Sequence, residues 1–300
     1  MRIAISTSSF GKSSVEALEL LKNKGVEIVQ NPYGRRLTES EIIEHLSGVD
    51  GLLAGLEPLN EHVLSKAKDL KAVARVGTGM ANVDISAAQK LGIKVSNTPD
   101  GPTFAVAEMT ITSLLALLRN LPYVNAAMHR GEWPKVVNSS LNEKKMLIIG
   151  FGRIGAKFAE MARIFQPEIF VYDKENIELP DYVQKISLDE GLKLADIVSI
   201  HAAGESEILS TEKLSLMKKG SYLLNSSRGE LINESGLIEK LSDGTIKGAW
   251  LDAFWEEPYQ GELLKFDNVI LTPHTSTYTD VCRAAMEMSG VQNIIRDLGI

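Results

Sequence analysis

The chain of 300 residues contains a single cysteine, Cys282. An intramolecular disulfide is therefore excluded, and the composition suits a reducing compartment, pointing to the cytoplasm. Cys282 lies in the helical pattern "TDVCRAAMEM" and reads as a packing residue, not a nucleophile. No run approaches the roughly 18 apolar residues that a membrane helix needs. The opening stretch "MRIAISTSSFGKSS" is too polar after Ser6 for a secretory leader. There is no Lys/Arg run, and the net charge is −7. That balance argues against nucleic acid or an anionic membrane as partner, while a small anionic substrate needs only local positive charge. No His/Cys/Asp/Glu group has metal-ligand spacing, so no metal is expected. Low-complexity segments and short repeats are also missing. What remains is an ordinary globular balance, 44% hydrophobic and 24% charged, in a chain long enough for two domains.

Short apolar runs alternate with amphipathic helical patterns. "RIAIS", "VEIVQ", "GLLAG", "KAVARVG" and "IKVSN" read as strands. Between them lie helical patterns, one opened by a Thr38/Glu41 capping box. This rhythm predicts a parallel sheet covered by helices on both faces. It breaks at "NTPDGP", where a long apolar helix and a second helical stretch follow. A new series then starts at "KKMLIIG" and continues through "IFVYD", "IVSIH", "GSYLLN", "KGAWLD" and "NVILTP". The last amphipathic helix can return to the first domain. The reading is two doubly wound α/β domains, residues 1–97 with 280–300 and residues 98–279, with a ligand cleft expected between them.

"LIIGFGRIG" places Gly150, Gly152 and Gly155 directly after a predicted strand, with Arg153 and Ile154 opening a helix. A lone G-x-G-x-x-G is a weak signal, and its context sharpens it. Gly150 permits the tight turn, Gly152 lets backbone approach a pyrophosphate, and Gly155 lets helix and strand pack closely. The helix N-terminus offers N–H groups and a positive dipole end to phosphates. The next strand ends at Asp173, placed to accept from the ribose hydroxyls and to repel a 2′-phosphate. NAD is thereby favoured over NADP, with Lys174 softening the preference. A competing motif, "STSSFGKS", ends like a P-loop but has Ser6 where glycine is needed, and reads as a polar loop.

Hydride chemistry needs an acid/base, a cation for the oxyanion or carboxylate, and a placed nicotinamide. "NSSRGE" puts Arg228 after a strand, "LDAFWEEP" puts Asp252 at a strand end, and "LTPHTS" puts His274 after another. His274 is the natural acid/base, since histidine titrates near neutrality. Glu257 or Glu256 could orient its ring. Arg228 offers a planar fork suited to a 2-oxo acid. His201 ends a strand and is placed to approach the cofactor.

These residues together resemble the D-isomer-specific 2-hydroxyacid dehydrogenase family, through "VGTGMANVD", "NTPDGPTFAVAE", "GFGRIG", "LNSSRGELINESGL", "LDAFWEEP" and "LTPHTS" over nearly the whole chain. "NPYGRRLTE", "NTPDGPT" and "EPYQGEL" look most like the phosphoglycerate dehydrogenase branch. The resemblance implies a flavodoxin-like substrate domain and a Rossmann cofactor domain. It implies an Arg228–Glu257–His274 catalytic set, with Asp252 holding the nicotinamide carboxamide. It also implies a substrate carboxylate on the amides of Val76 and Gly77, and a homodimer joined through the cofactor domains. The chain departs from the family in "HAAGESEIL", where Ala202 and Ala203 replace bulkier residues in a shortened loop, and in the absence of a glycine-rich lead-in before Leu147.

The resemblance points first to D-3-phosphoglycerate and 3-phosphohydroxypyruvate, for which Arg35, Arg36 and Arg75 are the candidate phosphate cations. Glyoxylate or hydroxypyruvate reduction is the alternative within the same chemistry. An NADH-responsive corepressor-like scaffold without turnover is the alternative outside it.

Overall fold

The structure is a computed structural model that describes residues 1–204 and 206–300. Glu205, within the loop that the sequence reading flags as shortened, lies outside them. The chain divides into two compact units, Met1–Pro102 with Thr277–Ile300, and Thr103–Ser276. Each differs by a few residues from the boundaries expected above.

The first unit is a five-stranded parallel sheet made of β1 (Arg2–Ile5), β2 (Glu27–Gln30), β3 (Gly51–Ala54), β4 (Ala72–Arg75) and β5 (Lys94–Asn97). The order is β2-β1-β3-β4-β5. β3 and β4 are buried along their whole length, as strands covered on both faces must be. The core of one face joins Leu52, Val73, Ile42, Leu46, Val63 and Leu64. Each such side chain contributes about 1.5–3 kcal/mol on full burial. Thr38 and Glu41 form the expected capping box. The final helix, Asp280–Leu298, packs on β3, β4 and β5 of this unit. It lies so close that a Cβ at Gly51 would meet Leu298 at 3.0 Å and Ile294 at 3.1 Å. The buried Cys282 belongs to this helix, and burial pushes its thiol up to about 11, as a packing residue. The P-loop look-alike is a turn whose Gly11 N–H donates to the buried carboxylate of Glu287, at 2.9 Å.

The second unit has seven parallel strands, β6 (Lys145–Ile149), β7 (Glu168–Tyr172), β8 (Val183–Lys185), β9 (Ile197–Ile200), β10 (Ser221–Asn225), β11 (Ile246–Leu251) and β12 (Val269–Leu271). The order is β12-β11-β10-β9-β6-β7-β8. The three-residue edge strand β8 carries no apolar run and is invisible to a periodicity argument. In β6, Leu147 and Ile149 enter one core while Met146 and Ile148 enter the other, the two-residue alternation of a strand between two layers. The apolar helix Pro102–Leu118 supplies Ala107, Leu114 and Leu118 to the second of these. Among the described residues, no single helix is long and apolar enough to cross a membrane.

Candidate active site

The glycine loop leaves β6 at Gly150, whose φ of +88° is a backbone state that side chains rarely adopt. A Cβ there would also lie 2.6 Å from the backbone of Ala202. At Gly155 a Cβ would run into the carbonyl of Gly150. Gly152 differs, because a Cβ would meet nothing within 4 Å. It caps the helix Arg153–Ala162 with no side-chain acceptor, and the space around its own Cα is open. Asp173 stands at the end of the neighbouring β7 and turns into this loop, with Oδ2 accepting from the Phe151 N–H at 2.7 Å. Open space over an uncapped helix start, with a carboxylate on the adjacent strand, fits a dinucleotide's pyrophosphate and ribose.

His201 is placed differently from expectation. Its ring is buried against Phe158, 5.1 Å between centroids, and one nitrogen pairs with Ser199 at 2.8 Å. Burial lowers its pKa to about 3, so the ring is neutral beneath the loop. The reason is local: the ring is drawn inward by Phe158 and Ser199, where Gly150 and Gly155 leave no room above.

The acid/base set forms at the carboxyl ends of β10, β11 and β12. Asn225 ends β10 and shapes the turn, accepting from the Ser227 N–H at 3.0 Å and donating to the Arg228 carbonyl at 2.7 Å. Arg228, half-buried, follows in extended backbone. Gly229 then touches the next loop: a Cβ there would overlap the backbone of Phe254 and Trp255. That close approach brings the Arg228 turn against the loop carrying Glu257. Glu257, not the exposed Glu256, meets His274, with Nδ1 2.9 Å from Oε1 and 3.1 Å from Oε2. Burial raises the Glu257 pKa, but the His274 hydrogen bond, the imidazole charge and Arg228 together hold it below the usual carboxylate range. His274 itself has φ +52°, a strained state for a residue with a Cβ.

Asp252 supplies what holds that strain. Its carboxylate, 1% exposed, accepts from the Thr272 hydroxyl at 2.6 Å and from the N–H groups of Thr275 and Ser276 at 2.9 Å each. Trp250, fully buried, donates to the same Thr272 hydroxyl at 3.0 Å. Asp252 therefore positions the His274 loop. Asn225, Gly229, Trp250 and Thr272 were not singled out from sequence. Only Gly229 carried a signal, as glycine directly after a candidate catalytic arginine.

In the first unit the expected carboxylate amides are already engaged. The Val76 N–H donates to the Ala54 carbonyl at 2.9 Å, and the Gly77 N–H to Thr98 Oγ1 at 2.7 Å. Val76 still continues the ladder from β4, which is why its amide is taken. The amides one step further along, at Thr78 and Gly79, have no hydrogen-bond partner among the described residues. Arg75 is buried and donates to the Val76 carbonyl. Arg35 is exposed and forms a two-pronged pair with Glu41, at 2.7 and 2.9 Å. Arg36, its neighbour, is exposed too.

Residues 111–276 match the family model described as the D-isomer specific 2-hydroxyacid dehydrogenase, NAD binding domain. The chain is 35% identical over 283 residues to a D-3-phosphoglycerate dehydrogenase of Methanocaldococcus jannaschii, covering 90% of this chain and 53% of that protein. The chain thus spans about half the length of such relatives. It is 32% identical to a hydroxypyruvate reductase of Thermotoga maritima, over 95% of both chains. The fold is similar to that of the TT0316 protein from Thermus thermophilus, with a TM-score of 0.92 and 31% identity over 100% of this chain and 97% of that one.

Proposed function

The chain belongs to the D-isomer specific 2-hydroxyacid dehydrogenase family, and from that premise we propose that it interconverts a small D-2-hydroxy acid and its 2-oxo acid with NAD. The observation that carries this reading is the Arg228, Glu257 and His274 cluster beside an uncapped glycine-loop helix in one unit. Glu257 holds Nδ1 of His274, which leaves Nε2 to exchange a proton with the substrate oxygen. Arg228 stabilises negative charge on the carbonyl or carboxylate. The nicotinamide, when bound, accepts or supplies the hydride at C2. Asp173 disfavours a 2′-phosphate and selects NAD over NADP. The amides of Thr78 and Gly79 serve the substrate carboxylate in place of those at Val76 and Gly77.

D-3-phosphoglycerate needs cations for its phosphate. Arg35 is held by Glu41, and Arg75 lies buried under the Gly77 turn. That arrangement favours an unphosphorylated acid of the hydroxypyruvate or glyoxylate type. A homodimer is supported by the apolar side chains that the second unit exposes along one segment, with Leu121 at 58%, Trp133 at 76% and Val137 at 97%.

The test is NADH oxidation with glyoxylate, hydroxypyruvate and 3-phosphohydroxypyruvate in parallel. Turnover should depend on the 2-oxo acid and fall at least about a hundredfold in His274→Ala, with NADH binding retained. Tight NADH binding without turnover of any acid would instead support the corepressor-like scaffold.

A further inference from the structure

The stretch "EPYQGEL" places Tyr259 two residues after Glu257. Its half-buried ring stacks on that of Phe254, with 4.9 Å between centroids and 23° between planes. The Trp255 ring lies 6.2 Å away on the same loop. The Tyr259 hydroxyl donates to Glu234 Oε1 at 2.7 Å and accepts from the Leu263 N–H at 3.3 Å. Burial and the neighbouring Glu234 carboxylate push this hydroxyl up to about 12, so it stays protonated as a donor. The glycine of the stretch makes room for it: a Cβ at Gly261 would overlap the hydroxyl oxygen.

Glu234 opens the helix Glu234–Ser242. Just before it, the Ile232 carbonyl accepts from Trp255 Nε1 at 2.8 Å. The segment that leaves the Arg228 turn therefore grips the loop at two rings, Trp255 and Tyr259, which flank Glu257 on either side along the chain. Inside that grip the Phe254 N–H donates to Glu257 Oε1 at 3.3 Å, the same oxygen that lies 2.9 Å from His274 Nδ1. A continuous path thus runs from Glu234 through the Tyr259 hydroxyl and ring to Phe254, and from its N–H to the carboxylate that orients the imidazole. A glutamate side chain has several rotamers to lose, and it keeps one geometry only where its supporting residues are themselves fixed. All of these residues belong to the unit Thr103–Ser276.

We propose that Tyr259, anchored by Glu234, is a positioning residue for the reaction: it acts through Glu257, keeping that carboxylate on Nδ1 of His274. The inference rests on the dehydrogenase reading for its effect on turnover, and on the geometry of one unit for its effect on the imidazole. Tyr259→Phe isolates the hydroxyl, since it keeps the ring that stacks on Phe254 and removes the link to Glu234 and Leu263.

The test is a kinetic double-mutant cycle with hydroxypyruvate and NADH. Tyr259→Phe should lower kcat by at least about fivefold and change KM by less than about twofold. The same change made on top of Glu257→Gln should lower kcat by less than about twofold, because the group it acts through is already gone. An unchanged kcat in the single variant, or an equal fall in both backgrounds, would overturn the proposal. The other partner gives a second reading should Tyr259→Phe fail to fold: Glu234→Leu should reproduce the loss of kcat, and Glu234→Gln, which keeps an acceptor for the hydroxyl, should recover most of it. Equal losses in the two Glu234 variants count against the link. An NMR measurement needs no turnover. The imidazole N–H resonance that His274→Ala removes should exchange with solvent at least about tenfold faster in Tyr259→Phe than in the wild type, and an unaltered rate removes Tyr259 from the path. If the wild type turns over no 2-oxo acid, the dehydrogenase reading fails, and the exchange rate still judges Tyr259.

Discussion

Glu257 and His274 come from different loops, yet Oε1 of the first lies 2.9 Å from Nδ1 of the second. The pair sets the ring's orientation and its tautomer, because a carboxylate on Nδ1 leaves Nε2 as the working atom. Glu257→Gln should lower kcat by about 10–100-fold while leaving NADH affinity unchanged, read by stopped-flow and by fluorescence titration. The folded-state pKa of Glu257 is lowered, so its contribution to stability is present above the ordinary glutamate value, about 4.3, and is lost as pH falls through the lowered value. The gap in urea midpoint between wild type and variant should therefore shrink on going from about pH 7 to about pH 3.

Asp252 holds three donors of the loop that carries His274 at positive φ. Asp252→Asn replaces one acceptor by a donor and leaves a buried N–H without a partner, at a cost of about 1–3 kcal/mol. The expected result is a lower melting temperature with kcat reduced more than KM is raised. A variant with full activity would show that the His274 backbone holds its strained state without this carboxylate.

Asp173 faces the glycine loop through Phe151. The wild type should bind NADH at least about tenfold more tightly than NADPH, since a carboxylate beside a 2′-phosphate is repulsive. Asp173→Ser should narrow that difference chiefly by weakening NADH. Equal affinities in the wild type would remove Asp173 from the ribose site.

His201 gives the protein an acid-sensitive point beneath the glycine loop. Burial lowers its pKa from 6.5 to about 3. Between those values the unfolded chain takes up a proton that the native ring refuses, so stability is full above 6.5 and declines as pH falls toward about 3. The slope from this one residue is at most about 1.4 kcal/mol per pH unit. His201→Leu should flatten that part of the stability–pH curve, measured as urea midpoints between about pH 7 and about pH 5. An unaltered slope would mean that the ring is protonated in the native state.

By itself the sequence determined whatever depends on neighbours along the chain. Strand and helix periodicity, the glycine spacing at Gly150, Gly152 and Gly155, and the Thr38 cap are local patterns, and so they could be read directly. Arg228, Glu257 and His274 were also visible, because each follows a strand at the end where parallel sheets gather their sites. Only the tertiary structure decided which neighbours each of these residues meets. The choice of Glu257 over Glu256 required the folded loop, as did the packing of His201 on Phe158 and the engagement of Asp252 by the N–H groups of Thr275 and Ser276. The open amides lie at Thr78 and Gly79 because a ladder hydrogen bond claims Val76 first. Strand order likewise sets β1 beside β3 and brings Ser6 and Gly55 to the buried carboxylate of Glu57, which no local pattern marks. Hydrogen-bond partners and burial arise from segments distant in sequence, and those belong to the three-dimensional arrangement alone.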